Sequence, residues 1–238
     1  MRGDIMKITQ RLLNIDNNAK TVKGQKKGYL TAILYLAPAD LSGYNVCPAA
    51  SAGCKSACLN TSGRGRMTMV QEARVKKTKL LFEHENDFLI KLDKEISAFK
   101  RYAKKKDLIP CVRLNGTSDI KWETKHYVDH NDIAHESLIH KFHDIQFYDY
   151  TKMLGRKIPK NYHLTFSRAE DNQTLVDIAI KRRVNVAMVF GNVPVSYNKK
   201  KVVIGDENDL RFLDKKGSIV GLYAKGRAKK DKSGFVIQ

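Results

Sequence analysis

Residues 29–36 read YLTAILYL and residues 47–66 read CPAASAGCKSACLNTSGRGR, so an apolar, β-prone run leads directly into a loop holding three of the four cysteines. The first stretch has the continuous apolar character of a strand buried on both faces, as in a parallel sheet. The second spaces Cys47, Cys54 and Cys58 as C-x6-C-x3-C, among Pro, Ala, Ser and Gly residues that let the backbone fold around a buried object. Thiolates are the usual ligands of zinc and of iron–sulfur clusters. Structural zinc takes four protein ligands, and no neighbouring Cys-x2-Cys or His-x3-His pair supplies the fourth. A four-iron cluster can hang on three cysteines and leave one iron open. Three unconnected core thiols, or a disulfide with a spare, are the plainer alternatives.

Outward from this loop, strands and helices alternate. Helical periodicity runs from 67 to 106: Leu80, Leu81 and Phe82 close one helix, and Phe88, Leu89, Leu92, Ile96, Phe99 and Tyr102 stripe a second, with Asn86 or Asp87 as its cap. Pro110 is expected to stop that helix before a second strand at 111–114. A short helix near 132–142 precedes a third strand at 145–150. A fourth strand spans 162–167, an amphipathic helix 172–183 and a fifth strand 184–190, with weaker strands at 201–204 and 218–222. This order predicts an α/β fold, a parallel-stranded partial (βα) barrel in one domain over 1–238, with the cysteine loop after its first strand.

The composition narrows the function classes. With 238 residues and 42% apolar content the chain can bury a core, which excludes wholesale disorder. No apolar run approaches the ~20 residues of a membrane span, and no signal peptide is visible. An intracellular protein without a membrane partner is expected, a setting in which clustered cysteines bind metal or do redox chemistry. The formal charge of +19 favours polyanions, so nucleic acid or a host protein is the expected partner of the basic surface. The basic residues are spread along the chain, and no nucleic-acid-binding signature accompanies them.

In parallel barrels, ligands sit at the C-terminal ends of the strands. The second strand ends in Asn115, Gly116, Thr117, Ser118 and Asp119, the third in Asp149, Tyr150, Thr151 and Lys152, and the fourth in Ser167, Arg168, Ala169 and Glu170. All then share a rim with the cysteine loop. Asn115, Thr117, Ser118, Asp119, Asp149, Lys152 and Arg168 are the candidate ligand-binding residues, and Cys47, Cys54 and Cys58 the candidate metal ligands. Turn and cap chemistry is the competing explanation for the Asn, Ser and Thr positions. Cys111, in a predicted strand, packs as a small apolar thiol or reaches inward as a fourth ligand. His126, His130, His135, His140 and His143 fall near a predicted surface helix without zinc spacing, although His130 and His135 are close enough to pair. Arg64 and Arg66 contact an anionic ligand or open the next helix.

The blocks CPAASAGCKSACLNTSGRG, VRLNGTSDI, FYDYTK, YHLTFSRAED and VGLYAKGRAKKDKSGFV together resemble a family of bacteriophage proteins named after a mycobacteriophage gene product numbered 88. That resemblance implies a viral protein acting in the cytoplasm of an infected bacterium. A more distant likeness is to radical S-adenosylmethionine enzymes, which also carry a three-cysteine loop with a four-iron cluster after the first strand of a parallel barrel. Their usual spacing is C-x3-C-x2-C, and their second strand ends in a glycine-glycine-acid motif where this chain has Asn115 to Asp119. The likeness implies a [4Fe-4S] cluster and, as a second ligand, S-adenosylmethionine. Two functions follow as expectations: a cluster whose open iron binds a small ligand, or a basic binding protein whose metal centre is structural or redox-sensing.

Overall fold

The computed structural model describes residues 8–15 and 19–238. In chain order its strands are β1 (Leu13–Ile15), β2 (Tyr29–Leu34), β3 (Ile109–Arg113), β4 (Tyr127–Val128), β5 (Ala134–His135), β6 (Gln146–Thr151), β7 (Tyr162–Ser167), β8 (Val186–Phe190), β9 (Ser196–Tyr197), β10 (Lys200–Ile204), β11 (Ile219–Tyr223) and β12 (Val236–Ile237). Its α-helices are α1 (Ala19–Gln25), α2 (Ala52–Ser56), α3 (Thr68–Glu83), α4 (Glu85–Lys105), α5 (Leu138–Lys141) and α6 (Gln173–Lys181).

One large sheet has the order β1-β2-β3-β6-β7-β8-β11-β10-β9. From β2 to β10 every neighbouring pair on this path is parallel, while β1 and β9 add antiparallel edges. Parallel strands need helices on their faces, and the apolar stripe of α4 meets that need. Phe88, Leu89, Leu92, Ile96 and Phe99 share one buried cluster with Leu30, Ala32 and Leu34 of β2, Val112 of β3 and Phe147 of β6. Farther along, Val176 and Ala179 of α6 pack with Phe166, Val186, Met188 and Ile219.

The sheet's other side is polar, and the segment 205–214 after β10 lies against it. Phe212 stands edge-on to Tyr29 and Tyr148, Leu210 joins Cys111 and Tyr148, and Asp209 pairs with Arg113. Because 205–214 leaves one end of the strand order and touches strands at the other, the sheet bends back on itself. Lys20 of α1 donates to the Gly205 carbonyl at 3.1 Å and pairs with Asp206 at 3.0 Å. A loop and side chains therefore bridge the two ends. No strand ladder closes them among the described residues, so the mostly parallel sheet is not a closed barrel.

Several expectations need correction. The strand before the cysteine loop is β2, since β1 precedes it. Helix α4 is ended by Asp107, whose φ of +54° turns the chain out of the helix, and Pro110 lies inside β3. The proline is tolerated because pairing with β6 begins only at Cys111. His84 takes the N-cap position of α4, while Asn86 exchanges hydrogen bonds with the Val128 backbone (2.9 and 3.1 Å). Residues 132–142 are mostly not helical: β5 pairs with β4, and only Leu138–Lys141 forms helix.

Near the site the last strand changes the sheet. β8 pairs with β7 only at Val186 and Ala187; from Val189 onward β12 takes that edge. β11 runs along the full opposite edge of β8, so β12 enters where β7 and β8 part.

Candidate metal centre

The cysteine loop is built by local capping. Ser51 caps α2 by accepting from the Cys54 N–H at 3.1 Å, and its own hydroxyl donates to Glu170 at 2.7 Å. The other Glu170 oxygen accepts from the Gly53 N–H at 2.7 Å. A carboxylate at a helix start meets the exposed N–H groups and the positive end of the peptide dipoles, which fixes the turn carrying Cys54. A Cβ on Gly53 would stand 2.3 Å from the Ser233 hydroxyl and 2.8 Å from the Glu170 carboxylate. Only glycine allows this approach of α2 to the 231–235 segment.

Cys47 lies against the end of β3. Its Sγ accepts from the Ala39 N–H at 3.4 Å and donates to the Thr117 carbonyl at 3.7 Å. Cys58 Sγ accepts from the Asn60 N–H at 3.5 Å. Cys54 is partly buried against Ala57, Ala169, Ala224, Ala228, Phe235 and Val236, a compartment walled largely by alanine.

The thiols sense one another. Burial pushes Cys47 up to about 11, and the nearby Cys58 and Cys54 push the same way. Burial also raises Cys58, as does Cys54, while the Asn60 N–H and the cations Arg74 and Lys152 pull it down. Thiols raised in this way, Cys47 and Cys58, hold their protons more tightly, and a metal ion would displace them to use the thiolates. The three sulfurs are not all within 4.8 Å of one another, as the ligands of a single ion would be.

Two cations flank Cys58. Arg74, buried, donates to the Asn60 side chain and lies 4.8 Å from the centre of the Tyr35 ring. Lys152 is half-buried, donates from Nζ to the Ser167 hydroxyl at 3.1 Å, and stands 5.6 Å from the centre of the Phe235 ring. Arg168 donates to the carbonyls of Gly234 and Phe235, which holds that ring in place. Arg64 and Arg66 are exposed in a short turn before α3.

The remaining candidates are spent inside the protein. Asn115 Oδ1 accepts from the Ser118 hydroxyl (2.8 Å), the Ile120 N–H (2.9 Å) and the Trp122 indole N–H (3.0 Å), while its Nδ2 donates to the Ile120 carbonyl at 2.9 Å. Thr117 donates to the Leu36 carbonyl at 2.6 Å. Asp119 accepts from the Lys152 backbone N–H at 2.8 Å and from Arg156 at 3.4 Å. Asp149 is buried; it accepts from the N–H groups of Leu114 (3.2 Å) and Asn115 (3.0 Å) and from the Tyr162 hydroxyl (3.0 Å). Turn chemistry thus accounts for Asn115, Thr117 and Ser118, and Asp149 pins the end of β3 from within. Of the charged candidates, Lys152 acts on Cys58, Asp119 acts on Cys47, and Arg168 meets the cysteine compartment through Phe235.

Cys111 lies in the core of the sheet, fully buried, with its Sγ 3.3 Å from the Leu30 carbonyl and 3.2 Å from the Thr31 hydroxyl. The histidines make no pair of 130 with 135. His135, in β5, holds Asp129 at 2.9 Å, and His130 is exposed. Among the described residues, Asp93, Asp129 and His135 form the group whose donor atoms fit one ion, but the Lys141 ammonium already sits on both carboxylates and the Tyr127 hydroxyl donates to Asp93 at 2.7 Å. That constellation pins the β4–β5 hairpin to α4. Sequence reasoning missed Glu170, Ser51 and Phe235 as builders of the site; the Ser51 cap before α2 was the only one with a local signal.

A family model described as gene product 88 matches residues 8–238. No curated protein and no solved structure matches the chain.

Proposed function

For a chain that belongs to the gene product 88 family, the bacteriophage family its sequence resembles, we propose an iron–sulfur protein in which Cys47, Cys54 and Cys58 hold a [4Fe-4S] cluster with one iron open to a small ligand. The observation that carries the reading is the arrangement of the thiols: three from one loop, with Cys54 and Cys58 close enough to raise Cys47 and Cys54 close enough to raise Cys58, yet not gathered on a single-ion point. Their surroundings fit the group. Buried alanines and Phe235 shield one side of Cys54 from water, the Ala39 and Asn60 N–H groups point at sulfur, and Arg74 and Lys152 offset negative charge. When bound, the cluster supplies a Lewis-acidic iron. The chain's own residues orient the thiolates, limit the access of water to Cys54 and place a cation beside it. The bent sheet, its ends bridged by Lys20 and 205–214, supports the finer reading of a partial barrel with the cysteine loop at its mouth. S-adenosylmethionine as second ligand draws no support from the residues at the end of β3, because Asn115 and Ser118 are internally bonded.

Anaerobic purification followed by iron, sulfide and zinc assays tests the proposal. About four irons and four sulfides per chain, with broad visible absorption, is the expected result. Zinc, or no metal after reconstitution with iron and sulfide, refutes it. The charge of +19 favours a second reading, a basic nucleic-acid- or host-protein-binding protein with a structural or redox-sensing centre. Under that reading, replacing exposed lysines removes function while Lys152 variants keep it.

A further inference from the structure

The cysteine compartment contains a cation whose bonding is incomplete, and that cation bears on what the open iron would bind. Lys152 Nζ has three N–H donors. One meets the neutral Ser167 hydroxyl, and the Phe235 ring covers part of the ammonium. No carboxylate pairs with this nitrogen among the described residues. Asp119 feels the Lys152 charge, but its oxygens accept from the Lys152 backbone N–H and from Arg156 and not from Nζ. Glu170, also at this end of the sheet, is committed to Ser51 and Gly53. The other cation beside Cys58, Arg74, is fixed by Asn60 and the Tyr35 ring.

Building such a position takes several residues. Arg168 secures the Phe235 carbonyl, Phe235 lies against both Lys152 and the Cys54 compartment, and Ser167 orients the ammonium. A lysine needed only to balance thiolate charge would need no such support. We propose that Lys152 and Ser167 form an anion subsite beside the open iron, for a small anion bearing one donor atom that binds iron: a carboxylate or a hydrosulfide. The anion gives a lone pair to iron and accepts a hydrogen bond from Lys152 Nζ; no electron is transferred and no covalent bond of the anion breaks. This inference rests on the cluster reading above.

The experiment uses the full chain reconstituted anaerobically and titrates acetate and hydrosulfide separately, followed by electron paramagnetic resonance of the reduced cluster. Saturable spectral change with at least one anion is expected, the responding one naming oxygen or sulfur as donor. Lys152→Gln should weaken that binding roughly ten- to a hundredfold, the range for a hydrogen bond to a charged group, with affinity read per loaded cluster so that any change in iron content is separated from it; Lys152→Arg should restore part of it. A cluster that responds to neither anion, or a Gln variant that binds as tightly as the unaltered chain, overturns the inference and leaves the cluster standing. Absence of iron in the unaltered chain overturns both.

Discussion

Replacing Asn115 with alanine tests whether the turn after β3 is a structural knot that positions the thiol of Cys47. The Asn115 side chain makes four hydrogen bonds, and its loss strands the Ser118 hydroxyl, the Ile120 N–H and the Trp122 indole N–H, with the Ile120 carbonyl as a fourth. Trp122 is 1% exposed and Ser118 8%, so water cannot easily replace the lost acceptor. At about 1 kcal/mol per unmet buried group, the variant should lose about 3–4 kcal/mol. That is a large part of the 5–15 kcal/mol typical of a whole domain. Ser118→Ala, which removes one of these bonds, should cost about 1 kcal/mol. Urea unfolding followed by the single tryptophan reads the knot directly, because Trp122 belongs to it. The same variant should also hold less iron after reconstitution, since the Thr117 carbonyl that faces Cys47 at 3.7 Å sits in this turn. A loss under ~1 kcal/mol with native emission unchanged would refute the argument and return Asn115 to the pool of ligand-binding candidates.

Further expectations concern the metal, the carboxyl at the end of β3 and the reporter. Cys47→Ala, Cys54→Ala and Cys58→Ala should each abolish iron binding, whereas Cys111→Ala should keep it and lose roughly 1–2 kcal/mol for a small core cavity; iron loss in the Cys111 variant would mean that the ligand set is misassigned. Burial lifts the Asp149 carboxyl to about 7, against the pull of Arg113, the N–H groups of Asn115 and Leu114, and the Tyr162 hydroxyl. Above about pH 4 the unfolded chain releases a proton that the folded protein retains, so the stabilisation from this group is full below ~4 and is lost as pH rises through ~7. Asp149→Asn should therefore flatten the stability profile across that window in denaturation measured at several pH values; an unaltered slope would assign the dependence elsewhere. Cluster loading should quench Trp122 emission, and identical emission from the apo and loaded forms would count against a centre at this end of the sheet.

The sequence shows the strands that are long enough to carry a pattern. β2, β6, β7 and β8 have five or six residues each, and their apolar runs and turn residues identify them within a residue or two. β1, β9 and β12 have two or three residues, too few for any period, and exist because a longer neighbour offers an unpaired edge. The fold of 205–214 back across the sheet was equally silent, since its Asp209, Leu210 and Phe212 look like ordinary loop residues until Arg113, Cys111 and Tyr148 are placed opposite. At the site, the cysteine spacing was legible because thiols are few and local. The split between ligand-facing and structural polar residues was not. Asn115 and Asp149 carry the same chemistry whether they meet a ligand or a backbone N–H, and only their partners distinguish the two. Glu170 escaped for the converse reason: its role is to fix a helix start far away in the chain.

The wedge of β12 between β7 and β8 gives the compartment an order of assembly. The other residues packed around Cys54, from Ala57 through Ala169 to Ala228, all precede Phe235 and Val236 in the chain. Without Phe235 and Val236 docked, the face of Cys54 that they cover would be open to solvent. The docking of these two residues covers one face of Cys54 and seats a ring beside Lys152. Packing of this one short segment therefore decides both how far solvent reaches Cys54 and where the aromatic ring beside Lys152 stands.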